Sequence, residues 1–573
     1  MERRKLLQTF GAALLGILAG QLAGKPSAAA PPSTRPNEPR VFFYDDGRHA
    51  SGLYHFAPPL TPRDFTHTVD QLASSGVDTL LYMAGLEGGV VQYDSKVAQK
   101  WGDNVQQWEH PIFYRASRIL HQLIADGHDP MKLLADRCHQ VGIWFIASNT
   151  VCIVGGDRAA DPYGRKSDFA YNNTDCYVGP DDDPRAKRLG RFFVPERMNF
   201  LRPEVRKERF LIFEELLTRY ETDGIELDLS IDNEFGPICR LSEASKLAPI
   251  LTDWIRDLRE VAKKAEQTQG RRKRLYVRIP SGPEKVWETL GFDVARWARE
   301  KLVDGFICQG VNREFMDQNI DLTALRGVTR DSPCRLLLGF SDSLGRQLAS
   351  TPTAPMIWAA ALLAFEQGAD GFGLCFGMWA PNGWPWTAKD YDTLRLLGHP
   401  DLLATANKVY MARSFARDAK KQELFEPEGL VLPQALTEGK SLDLQLRVAD
   451  DLLLWHGQEK VASVRLRVRL TNYEHGLDEV RVELNGRLLP ESILRKIDLH
   501  FRLIDNSTAV NPYGYIFEYL LPPEYFPKRG DNIIGVKLVK RDPRFKRPMD
   551  LYDVDCSINY RLHRHFERAP IEY

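Results

Sequence analysis

The sequence predicts an α/β protein in which a (β/α)8 barrel is followed by a smaller β-sandwich. Between residues 40 and 403, eight short apolar runs alternate with amphipathic segments, the pattern of a parallel sheet with crossover helices. No Gly-rich dinucleotide fingerprint follows any run, which disfavours the competing doubly wound open sheet. Beyond residue 403 long helical periodicity nearly ends and short strand-like runs take over. A TIM barrel with a C-terminal sandwich is therefore the predicted fold class.

Residues 1–30 have the composition of an export signal. Arg3 and Arg4 precede a short apolar stretch at about 10–19, and the three alanines at 28–30 offer a small-residue cleavage site. The apolar stretch is shorter than the roughly 20 residues that a spanning helix needs, and the paired arginines are similar to a twin-arginine signal. We expect cleavage, no integral membrane segment afterwards, and a periplasmic or extracellular protein. An uncleaved N-terminal anchor is the alternative.

The barrel elements follow one another at regular intervals. The predicted strands are 41–44, 79–83, 143–147, 224–229, 275–279, 305–309, 335–340 and 371–376. The clearest helical patterns are 203–220, 245–265, 286–301 and 355–367. Pro203 suits a first helical turn, and Phe210, Phe213 and Leu217 recur at helical spacing behind it. We assign residues 40–403 to the barrel.

The C-terminal region from about 425 to 573 predicts an accessory β-sandwich. Its strand-like runs are 465–470, 479–484, 515–521, 532–539 and 554–560. Asn485 and Gly486 between two of these runs form a strong hairpin signal. The sequence leaves open whether this domain binds sugar or supports the barrel.

Charge and cysteine usage exclude several classes of protein. Lys and Arg total 76 against 77 Asp and Glu, so the basic surplus typical of nucleic-acid-binding proteins is missing. The eight cysteines show no CxxC pair, and no HExxH or GxSxG motif occurs, which disfavours zinc-ribbon, zinc-peptidase and Ser-triad chemistry. We expect no cofactor, no metal and no nucleic-acid partner; disulfide pairing and oligomeric state are left open.

The most informative segment is the charged fourth strand. Because strand side chains alternate between faces, Glu226 and Asp228 share the face that points into the barrel lumen. Arg278 lies on the same face of the next strand and is a natural partner for both. Asp228 is near the carboxyl end of its strand, where barrel active sites are built. The competing interpretation is a buried ion network that only fixes barrel register, while Asp223 is expected to close a turn.

Other polar and aromatic residues follow the remaining strands and are candidates for the same rim. The candidate substrate-binding residues, besides Arg278, are Asp46, His49, Tyr82, Asn149, Asn312, Trp379, Trp384 and Trp386. Tryptophan faces suit the apolar C–H faces of sugar rings, although these three could merely seal the barrel against the sandwich. The long third connection, 150–202, is predicted to be a substrate-enclosing flap.

Three stretches together resemble a known group of proteins. Residues 199–206, 223–228 and 368–372 resemble the glycosyl-hydrolase-like barrel proteins of the family-ten-like group, and the resemblance spans most of 40–400. The run at 223–228 is also similar to the fourth-strand signature of family 18 chitinases, in which the run ends in a general-acid glutamate. Here Ser230 occupies that place and Glu226 replaces an aspartate. The resemblance implies a sugar-processing barrel.

Glycoside hydrolysis needs one protonated and one ionised carboxyl group. We interpret Asp228 as the ionised member, held by Arg278 and facing an open cleft, with Glu226 as a deeper catalytic candidate. The candidates for the acid are Asp232, Glu234, Glu314 and Asp342, in no order. The expected function is therefore an exported glycoside hydrolase acting on an oligo- or polysaccharide. The alternatives are a non-catalytic carbohydrate-binding barrel and a lyase or esterase that shares the rim.

Overall fold

The structure is a computed structural model. It describes residues 38–48, 52–54, 56–161, 163–190, 193–230, 235–310, 316–340, 344, 352–374, 386–414, 430–499 and 514–561. The predicted export signal lies outside these residues. Within them, no helix combines the length and the apolar character that crossing a membrane requires.

The N-terminal half is a closed barrel of eight parallel strands in sequential order, with the last strand paired to the first. The strands are β1 Val41–Asp45, β2 Thr79–Met83, β3 Trp144–Thr150, β4 Gly224–Asp228, β5 Arg274–Pro280, β6 Gly305–Gln309, β7 Arg335–Phe340 and β8 Gly371–Leu374. Each coincides with one of the predicted apolar runs to within a few residues. The predicted barrel is confirmed.

Most of the helices connect successive barrel strands, and the last two follow β8. In chain order they are α1 Pro62–Phe65, α2 His67–Leu72, α3 Pro111–Ala125, α4 Pro130–Val141, α5 Asp168–Asn172, α6 Pro184–Leu189, α7 Pro203–Thr218, α8 Ala244–Gln269, α9 Glu284–Leu290, α10 Val294–Arg299, α11 Thr323–Thr329, α12 Ala354–Glu366, α13 Ala388–Arg395 and α14 Pro400–Leu403. The single helix predicted at 286–301 is wrong, since Gly291 at φ 75° ends α9 in a left-handed turn before α10 begins.

An apolar layer fills the part of the barrel lumen nearest the amino ends of the strands. It consists of the buried side chains Phe42, Tyr44, Leu81, Met83, Ile146, Tyr276, Ile307 and Leu337. Because side chains alternate, the neighbouring residues of the same strands point outward and pack under the helices in the main core. The lumen positions that follow this layer toward the carboxyl ends of β3 to β6 are polar, and they form the site described below.

The C-terminal region contains two antiparallel sheets, as the sandwich prediction requires. The strands are β9 Lys408–Met411, β10 Gln434–Ala435, β11 Ser441–Val448, β12 Val461–Thr471, β13 Glu479–Leu484, β14 Arg487–Leu488, β15 Leu494–Leu499, β16 Gly514–Leu520, β17 Gly530–Lys540 and β18 Asp550–Tyr560, with one helix, α15 Leu452–Gly457. One sheet has the order β10-β18-β12-β16-β15, with β9 also paired to β18, and the other has the order β11-β17-β13-β14. Asn485 and Gly486, both at positive φ, form the predicted hairpin turn between β13 and β14.

The barrel and the sandwich are joined by specific hydrogen bonds. Gln318 donates from Nε2 to the Val409 carbonyl at 3.0 Å and accepts from the Met411 amide at 2.7 Å. Asn319 donates to the Met411 carbonyl at 2.9 Å. The first strand of the sandwich sheet is therefore held by side chains that follow β6 of the barrel.

Candidate functional site

Three charged side chains meet in the lumen at the carboxyl end of the barrel. Arg278 Nη2 lies 2.7 Å from Glu226 Oε1, and Arg278 Nε lies 3.6 Å from Asp228 Oδ1. The register of β4 and β5 places Asp228 directly beside Arg278 and Glu226 one layer deeper. All three are at most 1% exposed. The contacts that strand alternation predicted are thus present.

Strand β4 is brought into this position by its first residue, Gly224, and by Asp223, which precedes the strand. A Cβ at Gly224 would lie 2.1 Å from the Arg274 carbonyl oxygen, so glycine allows β4 to approach β5 at its start. Asp223 accepts from the Phe145 amide at 2.9 Å and from Arg271 at 3.0 Å. The aspartate before the strand fixes the bottom of the barrel and takes no part in the lumen site.

Asp228 has a second set of partners in the residue that follows its strand. The amide and the hydroxyl of Ser230 both donate to Asp228 Oδ1, at 2.9 and 2.6 Å. Ser230 is itself fully buried. The residue that stands where family 18 chitinases carry a glutamate is therefore used here to hold Asp228. The expectation that Asp228 faces an open cleft is wrong for this structure, since its side chain is 1% exposed.

Burying two carboxylates with one guanidinium group is a costly way to hold a barrel together. The desolvation of a buried ion pair often exceeds the attraction within it, and apolar residues of similar volume do as well or better. Arg278 also donates from Nη1 to Gln309 Oε1 at 2.9 Å and lies 5.1 Å from the centre of the Tyr44 ring. Such a set of polar contacts keeps one arginine and two acids in fixed geometry, which is what a binding or catalytic site requires.

Three further residues belong to the lumen: Ser148 and Thr150 on β3 and Gln309 on β6, each at most 1% exposed. The sequence places Ser148 among the rim candidates that follow the third strand, but it did not single out Thr150 or Gln309. Within the described residues, the two hydroxyl groups and Gln309 Nε2 have no hydrogen-bond partner. The register pairs Ser148 with Glu226 and Thr150 with Asp228. Counting alternate positions from Ile146 would have found the two β3 residues.

The predicted residue on β3, Asn149, lies on the other face of the strand. Its side chain packs against Gly85, where a Cβ would lie 2.3 Å from Asn149 Oδ1. Both polar atoms of its amide are buried without a hydrogen-bond partner in the described part of the chain. Its role in binding stays a prediction.

A chain of ion pairs connects the end of β1 to the third connection. Arg48 Nη2 lies 3.1 Å from Asp46 Oδ2 and its Nη1 lies 3.9 Å from Glu87, which in turn binds Arg165 at 2.7 Å. Burial alone would raise the pKa of Glu87, but the guanidinium groups of Arg165 and Arg48 hold that pKa below its ordinary value. Arg165 also donates to the Tyr54 hydroxyl at 2.9 Å. The predicted flap is therefore anchored beside Asp46, while its enclosure of a substrate stays a prediction.

Two predicted aromatic residues lie on the helix side of the sheet. Tyr82 alternates with the lumen residues of β2 and lies 6.4 Å from Phe145, and burial raises its pKa well above the ordinary value. Trp386 packs edge-on against Phe43 at 5.4 Å and against Tyr391 at 5.7 Å. Neither ring is brought together with Asp228 by these contacts.

The remaining predicted residues lie outside the described residues. They are the acid candidates Asp232, Glu234, Glu314 and Asp342 and the binding candidates His49, Asn312, Trp379 and Trp384. The second carboxyl group of the predicted mechanism is therefore still a prediction. Among the residues with described positions, no three His, Cys, Asp or Glu side chains are grouped to hold a metal ion.

A surface groove of about 830 Å³ lies away from the lumen site. It is formed by the start of α3 and the loop before α1, and it contains none of the predicted site residues; its lining is Pro58, Pro59, His110, Pro111, Ile112, Tyr114, Arg115, Arg118 and Gln122.

Comparison with known proteins gives overlaps in architecture at very low sequence identity. No protein-family model and no curated protein sequence matches the chain. Among solved structures, an α-amylase from Geobacillus thermoleovorans is 12% identical with a TM-score of 0.37, covering 87% of this chain and 98% of that one. α-L-Fucosidase isoenzyme 1 from Paenibacillus thiaminolyticus is 13% identical with a TM-score of 0.32, covering 87% and 96%.

A third structure, a cycloisomaltooligosaccharide glucanotransferase from Paenibacillus sp., is 9% identical with a TM-score of 0.34. That overlap covers 90% of this chain but only 57% of the glucanotransferase. At such TM-scores the overlaps carry no argument about activity. The function must be argued from the side chains in the lumen.

Proposed function

We propose that the protein is an exported glycoside hydrolase in which Asp228 is the ionised carboxylate of a two-carboxylate mechanism. The observation that carries the proposal is the fixed geometry of Asp228 at the carboxyl end of β4, between Ser230 and Arg278. Ser230 donates two hydrogen bonds to Asp228 Oδ1, and the Arg278 guanidinium group lies 3.6 Å from the same oxygen. An ionised carboxylate at this rim of a barrel can act as nucleophile or as base toward an anomeric carbon.

The protonated partner in this proposal comes from the loops that follow β4, β6 and β7, where Asp232, Glu234, Glu314 and Asp342 stand in the sequence. Glu226 is the less suitable partner, because its carboxylate is already bound to Arg278 at 2.7 Å and lies one layer deeper.

The test is the variant Asp228→Asn, which keeps the size of the side chain and removes its charge. We expect hydrolysis of the best substrate in a panel of plant, algal and microbial glycans to fall by about a thousandfold or more. The thermal midpoint should stay near that of the wild type, because Ser230 can still donate to the amide oxygen. Wild-type turnover in the variant, or loss of the folded state, would show the assignment to be wrong.

A carbohydrate-binding barrel without catalysis is the second candidate. It is favoured by the burial of Asp228 and by Ser230, which occupies the place of the family 18 glutamate and is engaged with Asp228. The two functions are separated by measuring binding and released reducing ends on the same glycans. Binding without release supports the second candidate, and unsaturated products would instead support a lyase.

The export proposal depends on residues 1–30 and their paired arginines. Mass spectrometry of the protein recovered from the periplasm should find a chain that begins near Pro31. A cytoplasmic, uncleaved chain would contradict this proposal without affecting the proposed chemistry.

A further inference from the structure

The lumen contains buried polar atoms for which the described part of the chain supplies no partner. They are Ser148 Oγ and Thr150 Oγ1 on β3 and Gln309 Nε2 on β6. A buried polar group without a partner costs free energy, and in native proteins such groups are usually satisfied by water or by a ligand. Three of them, on two strands that flank the charged residues of β4 and β5, therefore indicate a binding surface.

The orientation of Gln309 is fixed by its neighbour. Its Oε1 accepts from Arg278 Nη1 at 2.9 Å, so its Nε2 is the end that is left to donate elsewhere. Thr150 pairs in register with Asp228, and Ser148 pairs with Glu226 one layer below. Strand neighbours lie about 5 Å apart, so the two hydroxyl groups of β3 flank the acids of β4. Hydroxyl groups from β3, one amide donor from β6 and the carboxylates of β4 thus belong to the same lumen site.

The charges of the lumen site oppose a negatively charged ligand. Among the described residues of this site, the two carboxylates Glu226 and Asp228 share one guanidinium group, that of Arg278, which lies within 4 Å of both. A uronate or a sulfated sugar would bring a further negative charge beside two buried carboxylates and a guanidinium group that they already engage.

We infer that Ser148, Thr150 and Gln309 form the recognition wall for the hydroxyl groups of one uncharged sugar ring, next to Asp228. The inference rests on the proposed function and names its substrate class: neutral glycans in preference to uronates and sulfated sugars. Neutral hydroxyl and amide groups match sugar hydroxyls, which both donate and accept hydrogen bonds. The three residues are binding residues, and the reaction itself remains with the carboxylates.

The experiment uses the full chain and the variants Ser148→Ala and Thr150→Val, which remove a hydroxyl group with little change in volume. Calorimetric titration with glucose, galactose, mannose, xylose and fucose, and with glucuronate and galacturonate, measures affinity. We expect at least one neutral sugar to bind, each variant to weaken it roughly fivefold to tenfold, and both uronates to bind at least about tenfold more weakly. Unchanged affinity in both variants, tighter binding of a uronate, or no binding of any neutral sugar would overturn the inference.

A stability measurement supplies the matched control. Thr252 is equally buried, but its hydroxyl donates to the Ala248 carbonyl and accepts from the Trp297 indole. We expect Thr252→Val to lower the thermal midpoint by roughly 2 °C or more, while Thr150→Val leaves it unchanged or raises it. A fall for Thr150→Val as large as that for Thr252→Val would mean that the hydroxyl group is structural, and the inference would fail.

The two proposals fail in different ways. If neutral sugars bind through β3 but no glycan is cleaved, the hydrolase proposal fails and the recognition wall stands. If glycans are cleaved by the wild type and by both β3 variants with the same KM, the hydrolase proposal stands and the recognition wall fails.

Discussion

Arg278 is the residue on which the charge balance of the lumen depends. It lies within 4 Å of both Glu226 and Asp228, and all three side chains are buried. Removing one partner of a buried ion pair is strongly destabilising, because the remaining charge loses its compensation. The effect of the arginine on folding must therefore be separated from its effect on binding.

We expect Arg278→Met to lower the free energy of unfolding by about 3–5 kcal/mol. The double variant Glu226→Gln/Arg278→Met should lose less, because a neutral amide replaces the uncompensated carboxylate. Denaturant unfolding of the four proteins in this cycle measures the coupling. The control is Arg256→Met, which breaks solvent-exposed contacts with Asp253 and Glu300 and should destabilise the protein far less than Arg278→Met does. Additive losses in the cycle would contradict the ion-pair interpretation.

At the residue scale, strand periodicity predicted the lumen site only in part. It placed Glu226, Asp228 and Arg278 on one face, because the outward residues between them are plainly apolar. It did not single out Thr150, and it offered Ser148 only as one of several rim candidates, since a serine or a threonine at a strand end is common and carries no charge to mark it. The burial of Asp228 was also missed, because exposure depends on loops whose packing is not written in a local pattern.

At the scale of elements, the first two barrel strands are tied at their starts by a half-buried carboxylate. Asp78, just before β2, accepts from the backbone amides of Arg40 and Val41 and from the Thr79 hydroxyl at 2.7 Å. Burial raises the pKa of Asp78 to about 6, although these hydrogen bonds and the charge of Arg335 oppose the shift. The first two strands of the barrel are therefore joined by a group that titrates in a weakly acidic range.

The raised pKa of Asp78 predicts a pH dependence with a defined sign. Its ordinary unfolded value is about 3.9, so between about pH 4 and 6 the folded state binds more protons than the unfolded state. Its stabilising contribution is complete below about pH 4 and is lost as the pH rises through 6. We expect the difference in unfolding free energy between wild type and Asp78→Asn to fall by roughly 2–3 kcal/mol from pH 4 to pH 8. A pH-independent difference would refute the assignment.

Element boundaries show why some of the fold was not predictable. The eight barrel strands stand out because both of their faces are buried and they read as continuous apolar runs. In the sandwich, β11 and β15 were missed, because their exposed faces carry charged residues such as Asp443, Arg447 and Arg495 that dilute the apolar signal. Lys408–Met411 is too short for periodicity to indicate a strand, and only its pairing with β18 makes it one.

At the scale of the whole molecule, β9 makes the two domains one structural unit. It adds to the sandwich sheet through β18 and is held from the barrel side by Gln318 and Asn319. At its start, Lys408 and Asp450 form a buried ion pair at 3.1 Å, and the hydroxyl groups of Tyr410 and Tyr560 donate to the same aspartate. Unfolding either domain would break the hydrogen bonds that Gln318 and Asn319 make with β9, so the two should unfold together.

We therefore expect scanning calorimetry of the wild type to show one cooperative transition, at which barrel tryptophan fluorescence and the far-ultraviolet signal change together. The double variant Gln318→Ala/Asn319→Ala deletes the side-chain hydrogen bonds to Val409 and Met411 of β9. We expect it to lower the thermal midpoint and to separate the unfolding of the two domains into successive transitions. The control, Asp321→Ala/Thr323→Ala, removes an exposed hydrogen bond a few residues further along the same connection and should leave a single transition. Two transitions in the wild type would mean that the sandwich unfolds independently of the barrel. In that case, the affinity for sugar proposed for the barrel should persist at temperatures where only the sandwich has unfolded.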